Sequence, residues 1–587
     1  MEKIRGKLSK TVDVGNLLEN KIVQAILNIL MGISVVSLTL TLLDNKGCEL
    51  FNIVLPILSF AITEITLFKI KLIRKMYENG IGKTRLIISS LLAFFTAYVF
   101  YNNMLVFPNN VVIKTILSFL SIPAIIVSLY WFYGKLLYYL KKYIKTMDKV
   151  EKTFLIIAGV ILIIGISIIN AKTSLFNYGV LKEEYYDYEI NDTDSTIEDN
   201  STMREIIVYK IKQQYLHENF DIIYTTDSPI LLNFDVFSNV QALENDIRNP
   251  LFGVFSIPFA IIPKAISLIV PMNNIYALLL SIVHGGLIFI GFTLLARLMK
   301  LKGILKVLFL VIVSISFPTL LFLTSIEQYA ISVFYLIVFI YMAVNKIKDR
   351  DIAYIMATGS ITTSGILFPL LLEKGNIKQG IKNIFFTFLK CMAIFIISAR
   401  IVLFLPNQSS DLMNYCDIVQ VQNFNKYTNF AQNVLVGSEF REEWSPTSTK
   451  IWKTREGKIS WQMKRPAIRA ENTDKINIVG IIIIVLTVLG FVLNRKDRFM
   501  QICFAWVIFS ILLLGVMGWG AAEDGLILYT FYFAWAFICL MFKGIEKMLS
   551  KVPKIRNSVY SLAIATIIVV NVNIMVQIVQ FGIKYYS

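Results

Sequence analysis

The chain is 587 residues long, 56% hydrophobic and formally +17 in charge, with a mean hydropathy of +0.65. Soluble domains sit nearer ~45–50% apolar, so the composition excludes a soluble globular protein and points to many membrane spans. The positive charge falls in short Lys/Arg clusters between apolar runs, as in cytoplasmic loops, which argues against nucleic acid as a partner.

Each crossing takes about 20 apolar residues. Lys3, Arg5, Lys7 and Lys10 place the N-terminus inside, and residues 22–43, which lack a small-residue cleavage pattern, are expected to stay as a signal-anchor. Residues 51–68 return to a loop bearing Lys69, Lys71, Arg74, Lys75, Lys83 and Arg85 against Glu78. Residues 86–107 and 111–133 form the next pair, closed by Lys135, Lys141, Lys142, Lys145, Lys149 and Lys152, and 154–170 go out.

Residues 171–250 hold fifteen Asp/Glu against six Lys/Arg, the reverse of the inside loops, and belong outside. The acidic stretch 183–200 lacks apolar periodicity and is expected to be mobile. Asp192-Thr193-Asp194 within it is formally a DxD, a pattern that arises by chance more often than as a metal site. Thr202 and Glu205 form a capping box, and Met203, Ile207, Ile211 and Tyr215 then repeat every four residues. That spacing predicts an amphipathic helix on the membrane or on the bundle. Asp235 is a good N-cap for a second helix, with Val236, Val240, Leu243 and Ile247 on one face and Asp235, Asn239, Ala242 and Asp246 on the next. An unbroken helix would separate Asp235 from Asp246 by roughly 16 Å.

Residues 251–270, interrupted by Pro258, Pro263 and Lys264, predict a juxtamembrane or half-inserted segment and not a full span. Residues 274–296 cross inward to Arg297, Lys300 and Lys302, 304–324 go out, Ser325-Ile326-Glu327-Gln328 turns, and 329–344 return. A single crossing by 353–372 would put the Arg495-Lys496-Asp497-Arg498 run and the basic run 543–556 outside. A re-entrant pair of short helices broken near 360–365 is therefore expected. Residues 384–405 go out to a second external loop, 406–475; then 476–493 return, 500–517 go out, 526–542 return, and 560–581 end outside.

The expected fold is an all-α polytopic membrane protein of about thirteen transmembrane helices plus a re-entrant hairpin. It divides into an N-terminal four-helix membrane region (1–150), a membrane core (151–545) with external loops 171–274 and 406–475, and a C-terminal transmembrane helix (546–587).

Walker, HExxH, GxSxG and Rossmann motifs are absent. The five cysteines show no metal spacing, and Cys391, Cys503 and Cys539 lie in apolar runs as packed thiols. His217 reads as a solvated group on the loop helix, and His284, beside Gly285-Gly286 inside a span, as a packed one. What remains is an acid-and-arginine set at the outer boundary: Asp227, Asp235, Glu244, Asp246 and Arg248, ending in Asn249-Pro250-Leu251-Phe252. Singly, each is an ordinary solvated face of an acidic loop. As a group at the membrane edge, their carboxylates are placed to accept a proton from an acceptor hydroxyl or to hold a divalent cation. Glu327 sits in a turn, where a charge costs little. Arg400 lies in an apolar run near the external end, where it snorkels or binds a lipid phosphate. The second loop adds Arg441, Trp444, Trp452, Trp461, Arg465 and Arg469, read equally as interface anchors or as a sugar platform with cations for phosphate.

This order of parts resembles the GT-C superfamily of integral-membrane glycosyltransferases, which use polyprenyl-phosphate-linked sugars. The match that carries most is Asp246-Ile247-Arg248-Asn249-Pro250-Leu251-Phe252, similar to the H/R-x-P-L ending of that family's first external loop. Leu294-Leu295-Ala296-Arg297-Leu298 closes the next span, and Thr324-Ser325-Ile326-Glu327-Gln328-Tyr329 fills the next external turn. The likeness covers residues 154–542 as architecture; four further spans precede it, and the family's His-Pro-Pro loop ending is missing. It implies a GT-C-like core with Asp235 as base, Asp227 as second choice and Asp246 as a further acidic contact. Glu327 occupies a turn where the family places another acid, and Arg248, Arg400, Arg441, Trp444 and Arg465 become contacts to sugar or lipid-linked phosphate. The implied partners are a polyprenyl-phosphate-linked sugar, a glycan, lipid or polymer acceptor, and membrane lipid. The implied setting is the outer face of a bacterial plasma membrane, with the N-terminus cytoplasmic. The alternatives are a transporter or flippase of lipid-linked glycans, which would carry mid-membrane charges on discontinuous helices, and a glycan polymerase relying on loop arginines.

Overall fold

The computed structural model describes residues 21–41, 57, 59–61, 63–64, 83–103, 110–192, 201–217, 222–224, 229–232, 249, 252–270, 272, 274–372, 377–394, 421–447, 450–453, 458–471, 475–519 and 526–587. In chain order these give α1 (Lys21–Thr41), α2 (Lys83–Asn103), α3 (Val111–Thr146), α4 (Lys149–Lys172), β1 (Asp187–Asp192) and α5 (Ser201–His217). There follow α6 (Phe252–Ile269), α7 (Ile275–Leu298), α8 (Gly303–Ile315), α9 (Phe317–Thr324), α10 (Gln328–Val344) and α11 (Arg350–Ser360). A 3-10 helix, Thr362–Leu371, leads to α12 (Ile377–Ile394) and α13 (Val421–Asn433), then β2 (Phe440–Pro446), β3 (Lys450–Lys453) and β4 (Lys458–Ala470). The last elements are α14 (Ile478–Asn494), α15 (Arg498–Ser510, continued as a π-helix Ile511–Val516), α16 (Leu526–Met548) and α17 (Pro553–Tyr585).

The chain is mostly helical, and seven helices among the described residues are long and apolar enough to cross a membrane. The number rises to eight if the bent pair α8 and α9 counts as one span. This is compatible with a multi-pass membrane protein and is fewer than the thirteen spans expected. The shortfall has physical causes. α10 and α14 stop at 17 residues, short of the ~20 a perpendicular crossing takes, and the expected run 304–324 breaks by 59°. The expected span 51–68 and the end of 384–405 fall largely outside the described residues.

Two compact units can be distinguished. In the first, α1 and α2 both pack on α3, and Ser34 Oγ accepts the Ala124 N–H (2.9 Å) beside Pro123. The Arg85 guanidinium lies 3.7 Å from the Tyr130 ring centroid, a cation on a π face that softens the cost of charge among apolar helices. Lys135 pairs with Asp349 at 2.6 Å, and the Tyr139 hydroxyl donates to the same carboxylate at 2.9 Å. Residues 252–269 form one helix despite Pro258 and Pro263, and its apolar part, Phe255–Ile269, is shorter than a crossing takes, as a juxtamembrane or half-inserted segment would be. α11 ends at Ser360 and the 3-10 helix begins at Thr362, within the expected break; Tyr354 reaches across it to the Gly365 carbonyl at 3.1 Å.

The second unit holds the remaining spans and a feature that corrects the all-α expectation, a four-stranded antiparallel sheet in the order β1-β4-β2 with β3 also on β4. Both expected external loops feed it. Tyr188 of the first lies opposite Met463 of the second, and Trp444 lies opposite Pro466. Glu183 to Asp192, expected to be mobile, is a 3-10 turn followed by β1. On β4, Trp461, Met463, Arg465 and Ala467 recur every second residue and are buried, the period of a strand whose one face is covered. α5 lies where its apolar stripe predicts, with Ile207, Ile211 and Tyr215 all buried.

Candidate functional site

The site is built at the far end of the broken helix α8–α9. Pro318 lacks a backbone N–H, so the helix cannot run smoothly through it. The chain turns extended at Ser316 and restarts as α9. Eight residues later Ser325 closes that helix by donating its N–H to Leu321 O (2.8 Å). Glu327, in extended conformation, then caps α10. Its Oε2 accepts the Gln328 N–H at 2.6 Å, and the residue is 0% exposed. A carboxylate at a helix N-terminus meets orphan N–H groups and the positive end of the helix dipole, which offsets part of its desolvation.

The residues flanking Glu327 enter an aromatic cluster. Phe322 meets Tyr329 edge-on (5.9 Å) and Phe531 at 5.2 Å. Tyr329 lies 6.2 Å from Tyr529 and 6.3 Å from Tyr532, and Trp519 Nε1 donates to the Tyr529 hydroxyl at 3.2 Å. A buried carboxylate and hydroxyl-bearing rings are the side-chain types that hold a polyhydroxyl ligand: an acid accepts hydroxyl hydrogens, and rings pack against C–H faces. Here the carboxylate caps the helix that carries Tyr329 into the aromatic cluster.

The other expected site residues divide into two groups. Asp227, Asp235, Asp246, Arg248 and Arg400, with Glu244 and the helix expected from Asp235, lie outside the described residues. Arg441, Trp444 and Arg465 come together on neighbouring strands of the sheet. Arg441 is exposed and pairs with Glu443 at 3.2 Å. Trp444 is 40% exposed and stands edge-on to Tyr585 at 6.0 Å.

Arg465 was read as a loop cation, and its position differs: it is 1% exposed because strand alternation turns it to the covered face. Its guanidinium sits 5.5 Å from the Tyr215 ring centroid, and Nη1 donates to Gly179 O at 3.4 Å. Tyr215 in turn stacks on Tyr186 at 4.4 Å. Burial pushes the Tyr215 phenol up to about 12, so it meets Arg465 as a neutral ring.

The sheet is tied to the bundle close to the break. Ile223 bridges to Ile468, and the Tyr224 ring that follows meets Phe317 of α9 edge-on at 6.2 Å. His284 is buried at 1% exposure, with no hydrogen-bond partner for either ring nitrogen among the described residues. No group of three or more His, Cys, Asp or Glu among the described residues is placed to hold a metal ion.

Two polar constellations were not singled out in the sequence. Glu151, 1% exposed, takes Arg297 at 2.5 Å and Lys306 at 2.9 Å, while Lys306 also reaches Asp148. Asp148 and Glu151 form a capping box at the start of α4, and the Asp-x-x-Glu spacing was the available signal. The second is a set of amides, Asn429, Asn433 and Asn571, all buried, with the half-buried Asn477. An asparagine inside an apolar run, as at Asn571, is the mark such a network leaves in a sequence.

No family model, no curated protein and no solved structure matches the chain.

Proposed function

We propose that the chain is a membrane glycosyltransferase that moves a sugar from a polyprenyl-phosphate donor to a glycan, lipid or polymer acceptor at the outer face of a bacterial plasma membrane. The observation that carries the reading is Glu327, a fully buried carboxylate capping α10, the helix whose Tyr329 enters the aromatic cluster. A charge placed merely for topology belongs in water; one held at 0% exposure at a helix N-terminus is a fixed acceptor in a dry setting, which supports a role in ligand recognition. In this reading Glu327 accepts hydrogen bonds from sugar hydroxyls. Asp235, with Asp227 and Asp246 supporting, takes the proton of the acceptor hydroxyl as its oxygen attacks the anomeric carbon. The bond from that carbon to the phosphate oxygen breaks, the polyprenyl phosphate leaves with its charge met by Arg248, Arg400 or Arg441, and the anomeric configuration inverts. A divalent cation held by the first-loop carboxylates is compatible with this chemistry. Arg465, covered by Tyr215, acts by holding the sheet together.

The broken helix α8–α9 favours a second reading, a transporter of lipid-linked glycans, because discontinuous spans commonly line substrate paths. The test is direct. Full-length chain in lipid nanodiscs is given polyprenyl-phosphate sugars labelled in the sugar, and products are resolved by mass. Sugar transfer lost in Asp235→Asn supports the enzyme. Movement of intact lipid-linked glycan across a sealed vesicle, without transfer from any donor, replaces it with the transporter.

A further inference from the structure

Asn571 lies in α17, the last helix, among apolar residues and is 0% exposed. Its side-chain amide makes three hydrogen bonds to two segments far away in sequence. Nδ2 donates to Ile315 O (2.8 Å) and to Leu435 O (2.9 Å), and Oδ1 accepts the Gly437 N–H (2.9 Å). Both amide hydrogens and one acceptor position are thereby used. Ile315 O is the carbonyl left at the end of α8 by the break. Leu435 O also accepts the Phe317 N–H at 3.2 Å from the other side of that break. Thr319 Oγ1 returns to Val313 O at 2.7 Å and satisfies a further carbonyl. A discontinuous helix among apolar neighbours persists only when its freed backbone groups are satisfied in this way.

The second segment is the approach to the sheet. Gly437 is three residues before β2, the strand of Arg441 and Trp444. A Cβ added at Gly437 would lie 2.6 Å from the Phe317 ring and 2.9 Å from Ile574, so the strand approach, the break and α17 are in close contact at this point. Both directions from the node lead to the proposed site. α9 is a stiff rod of about 12 Å with Glu327 just past its end, so a rotation of about 10° at the break moves that end by about 2 Å. Displacements of that size near a reacting centre cost rates of about a hundredfold.

We propose that Asn571 is a positioning residue: one buried amide fixes the angle of the α8–α9 break and the entry of β2 together, so that Glu327 and the sheet are held in a common register. The positioning role rests on the glycosyltransferase reading, whereas the coupling of the two segments does not. Amide hydrogen exchange on full-length chain in nanodiscs reads the coupling. In Asn571→Leu, residues 314–327 and residues 434–440 are both expected to exchange about tenfold faster, with α16 unchanged. Gly437→Ala strains the same node from the strand side, leaves Asn571 in place, and is expected to speed exchange in 314–327; it decides the matter if Asn571→Leu does not fold. Loss of protection in 434–440 alone, or in neither segment, overturns the node. In preparations that transfer sugar, Asn571→Leu is expected to lower kcat at least about tenfold with donor KM within about threefold. An unchanged kcat beside coupled exchange overturns the positioning role. No transfer by wild type removes the glycosyltransferase reading and leaves the exchange result standing.

Discussion

Glu151 shows at the scale of one residue how this chain pays for charge near apolar helices. It is buried, yet both carboxylate oxygens are engaged by Arg297 and Lys306. Removing one partner of a buried pair leaves the others uncompensated, so Glu151→Ala is expected to destabilise the chain by about 3–5 kcal/mol, read as a lower midpoint in thermal unfolding in detergent. Asp148, half-exposed at the edge of the same cluster, gives the cluster a pH signature. Burial pushes its carboxyl up, but the hydrogen bond from Lys306 and the helix-capping bonds outweigh this and hold it below the usual aspartate range. A carboxyl whose folded pKa is lowered stabilises the fold above its unfolded value, near ~3.9, and loses that contribution as pH falls toward the folded value. The thermal midpoint should therefore be flat above about pH 5 and fall below about pH 4, and Asp148→Asn should flatten that acid limb. A limb unchanged in Asp148→Asn would assign it to other carboxylates. This cluster was legible only in part: Arg297 stood out as a topological charge, but its partner Glu151 is 146 residues away (297 − 151), and nothing local names it.

Among the elements, long apolar helices were the easiest to read, because twenty apolar residues have few other fates in a chain of this composition. α3, α4, α7 and α16 lie where expected. The sheet was not read, and β4 shows why. Lys464, Arg465, Pro466 and Arg469 interrupt its apolar alternation, and Pro466 in particular argues against a paired strand. The pairing is long-range, with β1 more than 260 residues upstream of its partners (464 − 187 = 277). Close helix contacts carry a prediction of their own. A Cβ at Gly490 of α14 would meet Leu540 O of α16 at 2.1 Å, whereas one at Gly159 of α4 meets nothing within 4 Å. Gly490→Ala must push two backbones apart and is expected to cost about 1–3 kcal/mol, while Gly159→Ala is neutral or slightly stabilising. Equal thermal midpoints for the two variants would contradict the packing of α14 on α16.

In the second unit the end of the last helix is woven into the sheet region. Tyr586 is 0% exposed, bridges to Leu181, donates its hydroxyl to Pro466 O at 2.5 Å and receives the Thr173 hydroxyl on its carbonyl. Tyr586→Ala removes a buried ring and that hydroxyl bond together and is expected to cost about 3–5 kcal/mol. Limited proteolysis should then cut within 179–192 and 458–471 faster than in wild type, and unchanged cleavage there would deny the clamp. Of the proposed site, the sequence exposed the acids of the first loop and Glu327 as charges beside lipid. The burial of Glu327, its cap on α10 and the aromatic cluster around Tyr329 were not readable there, because they follow from a helix break and from side chains about 200 residues downstream (529 − 329 = 200). The account turns on that carboxylate. The decisive measurement is the steady-state rate of sugar transfer by Glu327→Gln, an isosteric change, in protein whose thermal midpoint matches wild type. A fall in kcat/KM of about a hundredfold or more is expected; transfer within about twofold of wild type would contradict a ligand role for Glu327.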